Sequence, residues 1–241
     1  MSIKKSVSSI LLLGTAIGTA QAQTEAGKLL VSGQVNYYQS KGESTSTTPS
    51  GSVANVQQDS KQSSFNFAPQ IGFFVADNLA LGIRGSVGSG KNIETRNDNG
   101  SPNTYHRNDR TKGATIGPFV RYYKMLGERV AFYGQLAGGY QRQIQNNSSY
   151  YSGINNEEYY SSEAKSTGGF ATLSPGFVFF PTPKLGLELT VGGLSYTASK
   201  SESTFQSNQS YQTNYEGTSS SFGANFGLQY LAVGASFHLG N

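Results

Sequence analysis

The 241-residue chain has no cysteine and no tryptophan. Without cysteine there is no disulfide framework, no thiol nucleophile, no thiolate metal ligand and no lipid-modified N-terminal cysteine. Charge is scarce as well. Asp, Glu, Lys and Arg together make up 13% of the residues, about half the roughly 25% of ordinary globular chains. Two histidines, His106 and His238, leave little material for a His-rich metal site or a catalytic triad. The scarcity of charge is not greasiness, because the mean hydropathy is −0.41. Ser, Asn, Gln, Thr and Gly fill the deficit. What the chain has in quantity is glycine (30), tyrosine (15) and phenylalanine (14). That is too aromatic for a disordered polypeptide, and the length suits one domain.

The first residues stand apart. Lys4 and Lys5 precede an apolar run over 10–20, and Ala20-Gln21-Ala22 is a small-x-small cleavage site. This is the layout of a secretory signal peptide, and the run is shorter than the about 20 apolar residues of a membrane-spanning helix. Residues 1–22 are therefore read as a signal peptide and 23–241 as one domain. The formal charge of +4 falls to +2 once Lys4 and Lys5 leave. No Lys/Arg stripe remains to favour nucleic acid, and no later segment is long and apolar enough for a transmembrane helix.

The rest of the chain alternates apolar and polar residues with period two, the signature of strands with one greasy face. Eight such segments are expected, beginning with 28–39 (Leu29, Val31, Val35, Tyr37) and 63–75 (Phe65, Phe67, Ile71, Phe73). The third and fourth carry Leu79, Leu81, Ile83, Val87 and Ala114, Ile116, Val120, Tyr122. The fifth and sixth carry Val130, Phe132, Leu136, Tyr140 and Ala171, Leu173, Phe177, Phe179. The seventh carries Leu185, Leu187, Leu189, Val191, Gly193, and the last ends with Val233, Ala235, Phe237, Leu239. Tight turns fall at 76–78, 126–128 and 181–183. They alternate with polar tracts over 40–62, 90–112, 143–165 and 199–219 that read as long loops. Four such loops are foreign to a compact soluble domain, but short turns at one end and long loops at the other describe an outer-membrane barrel. A hairpin repeat reinforces this. Pro69, Pro118 and Pro175 each sit mid-strand, and the pairs Phe73-Phe74, Tyr122-Tyr123 and Phe179-Phe180 each close a strand before a tight turn. Mid-strand proline breaks a ladder rung, so a locally widened ladder is expected at each. Near Tyr230 the apolar phase of the last strand moves from even to odd positions, which predicts a bulge or an extra turn.

The polar face decides orientation. It carries Ser32, Gln34, Asn36, Asn66, Gln70, Ser86, Thr115, Gln135 and Thr190, with only Arg84, Arg121 and Glu188 charged. A water-facing surface would hold many more charges, whereas a narrow lumen packed with hydrogen-bonding side chains suits this set. An Arg facing lipid near the midplane would cost about 2–4 kcal/mol, which also sends Arg84 and Arg121 inward. The fold expected is all-β, an eight-stranded antiparallel up-and-down transmembrane β-barrel. Arg84, Arg121 and Glu188 would form its lumen polar network, and aromatic belts would bound its apolar band.

On the signal peptide, the Pro-containing hairpin repeat and a last strand ending Phe237-His238-Leu239, residues 23–241 resemble the small outer-membrane β-barrel domain family, the OmpA/OmpX-like porin-family proteins. The resemblance implies a monomer in the Gram-negative outer membrane, in contact with lipid and lipopolysaccharide. No catalytic, cofactor or metal constellation is visible. His106 is expected in a solvated loop and His238 as a single lumen histidine near the turn end. The expected role is structural or surface-interactive through the long loops, where Tyr150-Tyr151 and Tyr159-Tyr160 offer contact to a surface ligand or partner protein. A narrow channel through the lumen is the alternative, and a lipid A acyl-modifying enzyme the third.

Overall fold

The structure is a computed structural model that describes residues 23–46, 56–98, 103–152, 159–207 and 212–240. The signal-peptide reading concerns residues outside these. Among the described residues there are ten strands: β1 (Leu29–Ser46), β2 (Val56–Ala76), β3 (Leu79–Asp98), β4 (Thr104–Met125), β5 (Val130–Ser152), β6 (Tyr159–Thr182), β7 (Leu185–Thr190), β8 (Gly192–Ser207), β9 (Gln212–Phe226) and β10 (Ala232–Leu239). All pairings are antiparallel. The ring closes through eight of them, β1-β2-β3-β4-β5-β6-β7-β10 and back to β1. β7 and β8 are two stretches of one crossing, as are β9 and β10. The fold is thus an all-β, eight-stranded up-and-down barrel.

The period-two pattern sets its inside and outside. Ile71, Ile83, Ile116, Tyr122, Leu136 and Phe237 point out and are about half exposed, while Ser32, Gln70, Arg121, Gln135 and Glu188 point in and are buried. An apolar girdle faces outward and a polar lumen inward, which is the arrangement of a transmembrane barrel. The proline-aromatic repeat also resolves. The second aromatic of each pair, Phe74, Tyr123 and Phe180, turns inward at the turn end and is fully buried. The three rings converge on His238, at centroid distances of 5.5, 6.1 and 5.2 Å. The lower lumen is therefore an aromatic core, a feature that a purely polar inner face does not predict. Residues before β1 cap it from below. Thr24 Oγ1 donates to Asn78 Oδ1 at 2.6 Å, and the Asn78 amide donates to the Thr24 carbonyl at 2.8 Å.

Pro69 and Pro118 widen the ladder locally. Ala68 and Pro69 lack partners on β3, and Gly117 and Pro118 lack partners on β5, yet the register is unchanged on either side. A missing N–H explains the lost rungs. Pro175 behaves differently. Opposite it the seventh crossing slips: Leu173 pairs with Leu194 but Gly176 pairs with Thr190, so one extra residue is accommodated near Val191. A one-residue slip exchanges faces. Leu187 and Leu189 face out below the slip, Tyr196 faces out above it, and the expected single face running on through Val191 and Gly193 is broken.

The last crossing breaks at the same height. Gly192 pairs with Phe226 and Thr190 with Ala232, so residues 227–231 oppose Val191 alone. They form a short 3-10 turn over Leu228–Tyr230 entered through Gly227 at φ 137°. The chain continues in its original direction, so the phase change near Tyr230 is a large bulge and adds no crossing.

The polar tracts correct the sequence reading most. They are not loops. β4 runs for 22 residues and β6 for 24, roughly twice the 9–11 that a crossing needs. Pairing continues to Ser46↔Val56, Asn97↔Thr104 and Tyr150↔Tyr159. Each added rung satisfies backbone groups, and cross-strand contacts such as Tyr105 with Tyr151 (5.1 Å) and Tyr160 with Phe205 (6.0 Å) support the ladder. His106 shares in this. It is half-buried within β4 and stacks on Tyr150 at 4.7 Å, rather than lying in a solvated loop. The upper wall is open along one seam. β1 pairs with β10 only from Leu29 to Val35, and above that no pairing among the described residues joins β1 to β9.

Candidate functional site in the barrel lumen

Period-two geometry delivers inward residues from every strand to one level of the lumen. Arg121 from β4 and Glu188 from β7 meet there, Nη1 to Oε1 at 2.6 Å, with side chains 1% and 0% exposed. Charges so far from water persist only when paired and hydrogen-bonded throughout, and this pair is. Arg121 Nε donates to Gln135 Oε1 at 2.7 Å and Nη1 to the Tyr123 hydroxyl at 3.0 Å. Its guanidinium lies 4.3 Å from the Tyr133 ring centroid, a cation–π contact. Gln135 donates to Gln70 at 3.1 Å, which donates to Ser32 at 2.5 Å. On the other flank Gln34 Nε2 donates to Glu188 Oε2 at 3.0 Å and to the Tyr133 hydroxyl at 2.9 Å, and that hydroxyl lies 2.8 Å from Thr190 Oγ1. The network bridges β1, β2, β4, β5 and β7 across the barrel.

Of the three charged residues singled out in the sequence, Arg121 and Glu188 are brought together. Arg84 is not joined to them. It lies on β3 beside Gln70 and Gly117 and borders a cavity of about 320 Å³ together with Gln34, Asn36, Asn66 and Ser174. The neutral members of the network, Gln34, Gln70, Gln135, Tyr133 and Thr190, are recognisable in the sequence only as inward polar positions. Which of them touch depends on stagger between strands that period two does not encode.

A Ser–His pair that the sequence reading does not single out lies below. Ser236 Oγ is 3.3 Å from His238 Nε2, and Nδ1 is 2.7 Å from the Gln23 carbonyl. Both residues are 0% exposed, so no substrate reaches them in this conformation. Two residues apart on one strand, they share a face automatically. At the rim, a recess of about 650 Å³ lies among Asn108, Arg110, Asn147, Tyr159 and Glu163. The ionic contacts there are local. Asp109 accepts from Arg107 Nε at 2.9 Å and raises its pKa, and Lys200 is likewise raised by Glu216 and Glu202.

No protein-family model and no curated protein matches this chain. Among solved structures it is similar to the outer membrane protein OprG from Pseudomonas aeruginosa, with TM-score 0.42 and 11% identity over 91% of this chain and 99% of that one. It is similar to a major outer membrane protein from Thermus thermophilus, with TM-score 0.39 and 12% identity over 89% and 100% of the two chains. It is also similar to the outer membrane protein AlkL in DMPC lipid bilayers, with TM-score 0.38 and 12% identity over 95% and 98%.

Proposed function

We propose that this is an integral outer-membrane β-barrel protein, exported by a cleaved signal peptide, whose role is structural or surface-interactive. One observation carries the reading. The Arg121–Glu188 network crosses the lumen above an aromatic core that includes Phe74, Tyr123 and Phe180, so the barrel acts as a rigid plug and stands on its outer surfaces. Its apolar girdle then contacts lipid, its upper rim lipopolysaccharide. The paired hairpins rising beyond the girdle are the extracellular contact surface, rich in Tyr, Ser and Asn. The eight-strand ring and the proline-aromatic hairpins support a likeness to small OmpA/OmpX-like monomers. In this reading the protein is not an enzyme, and the buried Ser236–His238 pair is architectural.

Planar-bilayer recording of the purified protein tests the closed lumen. Occasional or no current is expected, and steady unitary conductance would replace this reading with that of a narrow channel. Turnover on lipid A that is lost in Ser236→Ala would instead favour an acyl-modifying enzyme.

A further inference from the structure

The lumen holds a cation that its network does not use. Arg84 is inward-facing and half-buried, yet among the described residues no carboxylate or other acceptor pairs with its guanidinium. Arg121 and Glu188 cancel each other, and Arg84 is the one charged group among the described residues that line the 320 Å³ cavity. An interior charge without a counterion is unfavourable, and buried charges in proteins are ordinarily paired. The cavity wall offers further donors. The Asn66 amide and the Ser174 hydroxyl also have no hydrogen-bond partner among the described residues. The space exists because neighbouring positions are small. Gly117 faces Arg84 across the β3–β4 ladder, and Ala68, Gly192 and Ala232 line the cavity. Its rim includes Asn36 and Tyr230, next to the foot of the open seam, where Asn36 Nδ2 donates to the Leu231 carbonyl.

We infer that this cavity is a binding site for a small organic monocarboxylate, gripped by the Arg84 guanidinium with Asn66 and Ser174 as supporting donors. The guanidinium fork matches a carboxylate in a two-bond geometry that a point charge does not reproduce. A single uncompensated positive charge suits a single negative one. A phosphate dianion would bring a second negative charge that no other charged residue among the described residues lining the cavity offsets. The cavity lies at the small end of ligand pockets, and Ala68, Ala232 and the Tyr230 ring give an apolar body somewhere to rest.

The test uses the full mature chain folded in detergent micelles and titrated with sodium benzoate, acetate, phosphate or chloride at equal ionic strength. Carbon-13 NMR of labelled benzoate and the midpoint of the heat-modifiable gel transition are the readouts. Saturable benzoate binding with a raised midpoint is expected. Arg84→Gln should weaken it by about tenfold or more, since a hydrogen-bonded charge is lost. Asn66→Ala should weaken it by only a few-fold. Should Arg84→Gln not fold, Arg84→Lys serves, keeping the charge and losing the fork, with weaker binding expected. Equal benzoate binding in wild type and the Arg84 variant would overturn the proposal. So would chloride matching benzoate, phosphate binding more tightly than benzoate, or no saturable binding at all. None of these results bears on bilayer conductance, so the closed-lumen reading is decided separately.

Discussion

Arg121 shows how much one buried residue depends on its partners. Its guanidinium has a carboxylate, an amide oxygen, a phenol and an aromatic face arranged around it, and removing the carboxylate strands it. Glu188→Ala is expected to destabilise the folded barrel by about 3–5 kcal/mol, measured by urea unfolding in micelles with gel mobility as the readout. Replacing both charges with leucine should recover most of that loss, because the penalty comes from the orphaned charge. An unchanged midpoint in Glu188→Ala would mean the pair is not the keystone of the lumen. A second residue-scale prediction concerns Gly192. Its φ is 111°, and a Cβ there would run into the Asn225 carbonyl. Gly192→Ala should cost about 1–3 kcal/mol. Gly134→Ala on β5, where an added Cβ meets nothing within 4 Å, should leave the same midpoint nearly untouched.

At the scale of elements, the seam divides the wall into a closed lower tier and an open upper one. Strand amides bonded on one side only exchange faster than those locked in a continuous ladder. Hydrogen exchange should therefore be faster over residues 36–46 of β1 and over β9 than over β4 and β5 at the same height. Uniform protection around the rim would mean that β1 and β9 pair in solution. The same elements show what is legible in the sequence. Every crossing, and the side it turns to lipid, can be read from alternation, because Ile71, Ile83 and Leu136 announce an apolar face residue by residue. The face exchange near Val191 cannot. Leu189, Val191 and Gly193 keep perfect alternation, and the slip lies opposite Pro175, a position on the neighbouring strand. The polar tracts escape alternation for a related reason. Ser, Thr, Asn and Gln on both faces give period two nothing to contrast, so a strand with water on both sides looks like a loop. In the lumen, Arg84 and Arg121 are equivalent in sequence, each an inward arginine. Only the stagger of β7 hands Glu188 to one of them.

For the whole molecule, stability is concentrated below the rim. The buried hydrophobic cluster is built from Leu30, Phe74, Tyr123, Tyr133, Phe180 and their neighbours, all near the turn end. Among the described residues, the hairpin made by β8 and β9 contributes none to it. Replacing residues 200–218 by an Asn-Gly turn between Ser199 and Ser219, which already face each other across that ladder, should therefore preserve folding. The unfolding free energy is expected to move by less than about 1 kcal/mol, and the protein should still migrate as a heat-modifiable band from the outer-membrane fraction. Loss of the folded band would show that the upper tier is needed for closure. Recovery of wild-type protein from the soluble periplasmic fraction would instead count against the lipid-facing girdle.

The pairing that closes the ring brings Leu29 opposite Leu239, and Gly240 lies beside Lys28. Every other junction of the ring is a hairpin between consecutive crossings, so this seam is the one contact that must wait for the whole chain to be made. The starting point of the polypeptide is thus arbitrary with respect to the finished architecture. Joining 23 to 240 by a short linker and opening the chain at another hairpin would give a circular permutant with the same ring. The late-forming junction would then lie between a different pair of strands, and the order in which the barrel assembles would become an engineering choice.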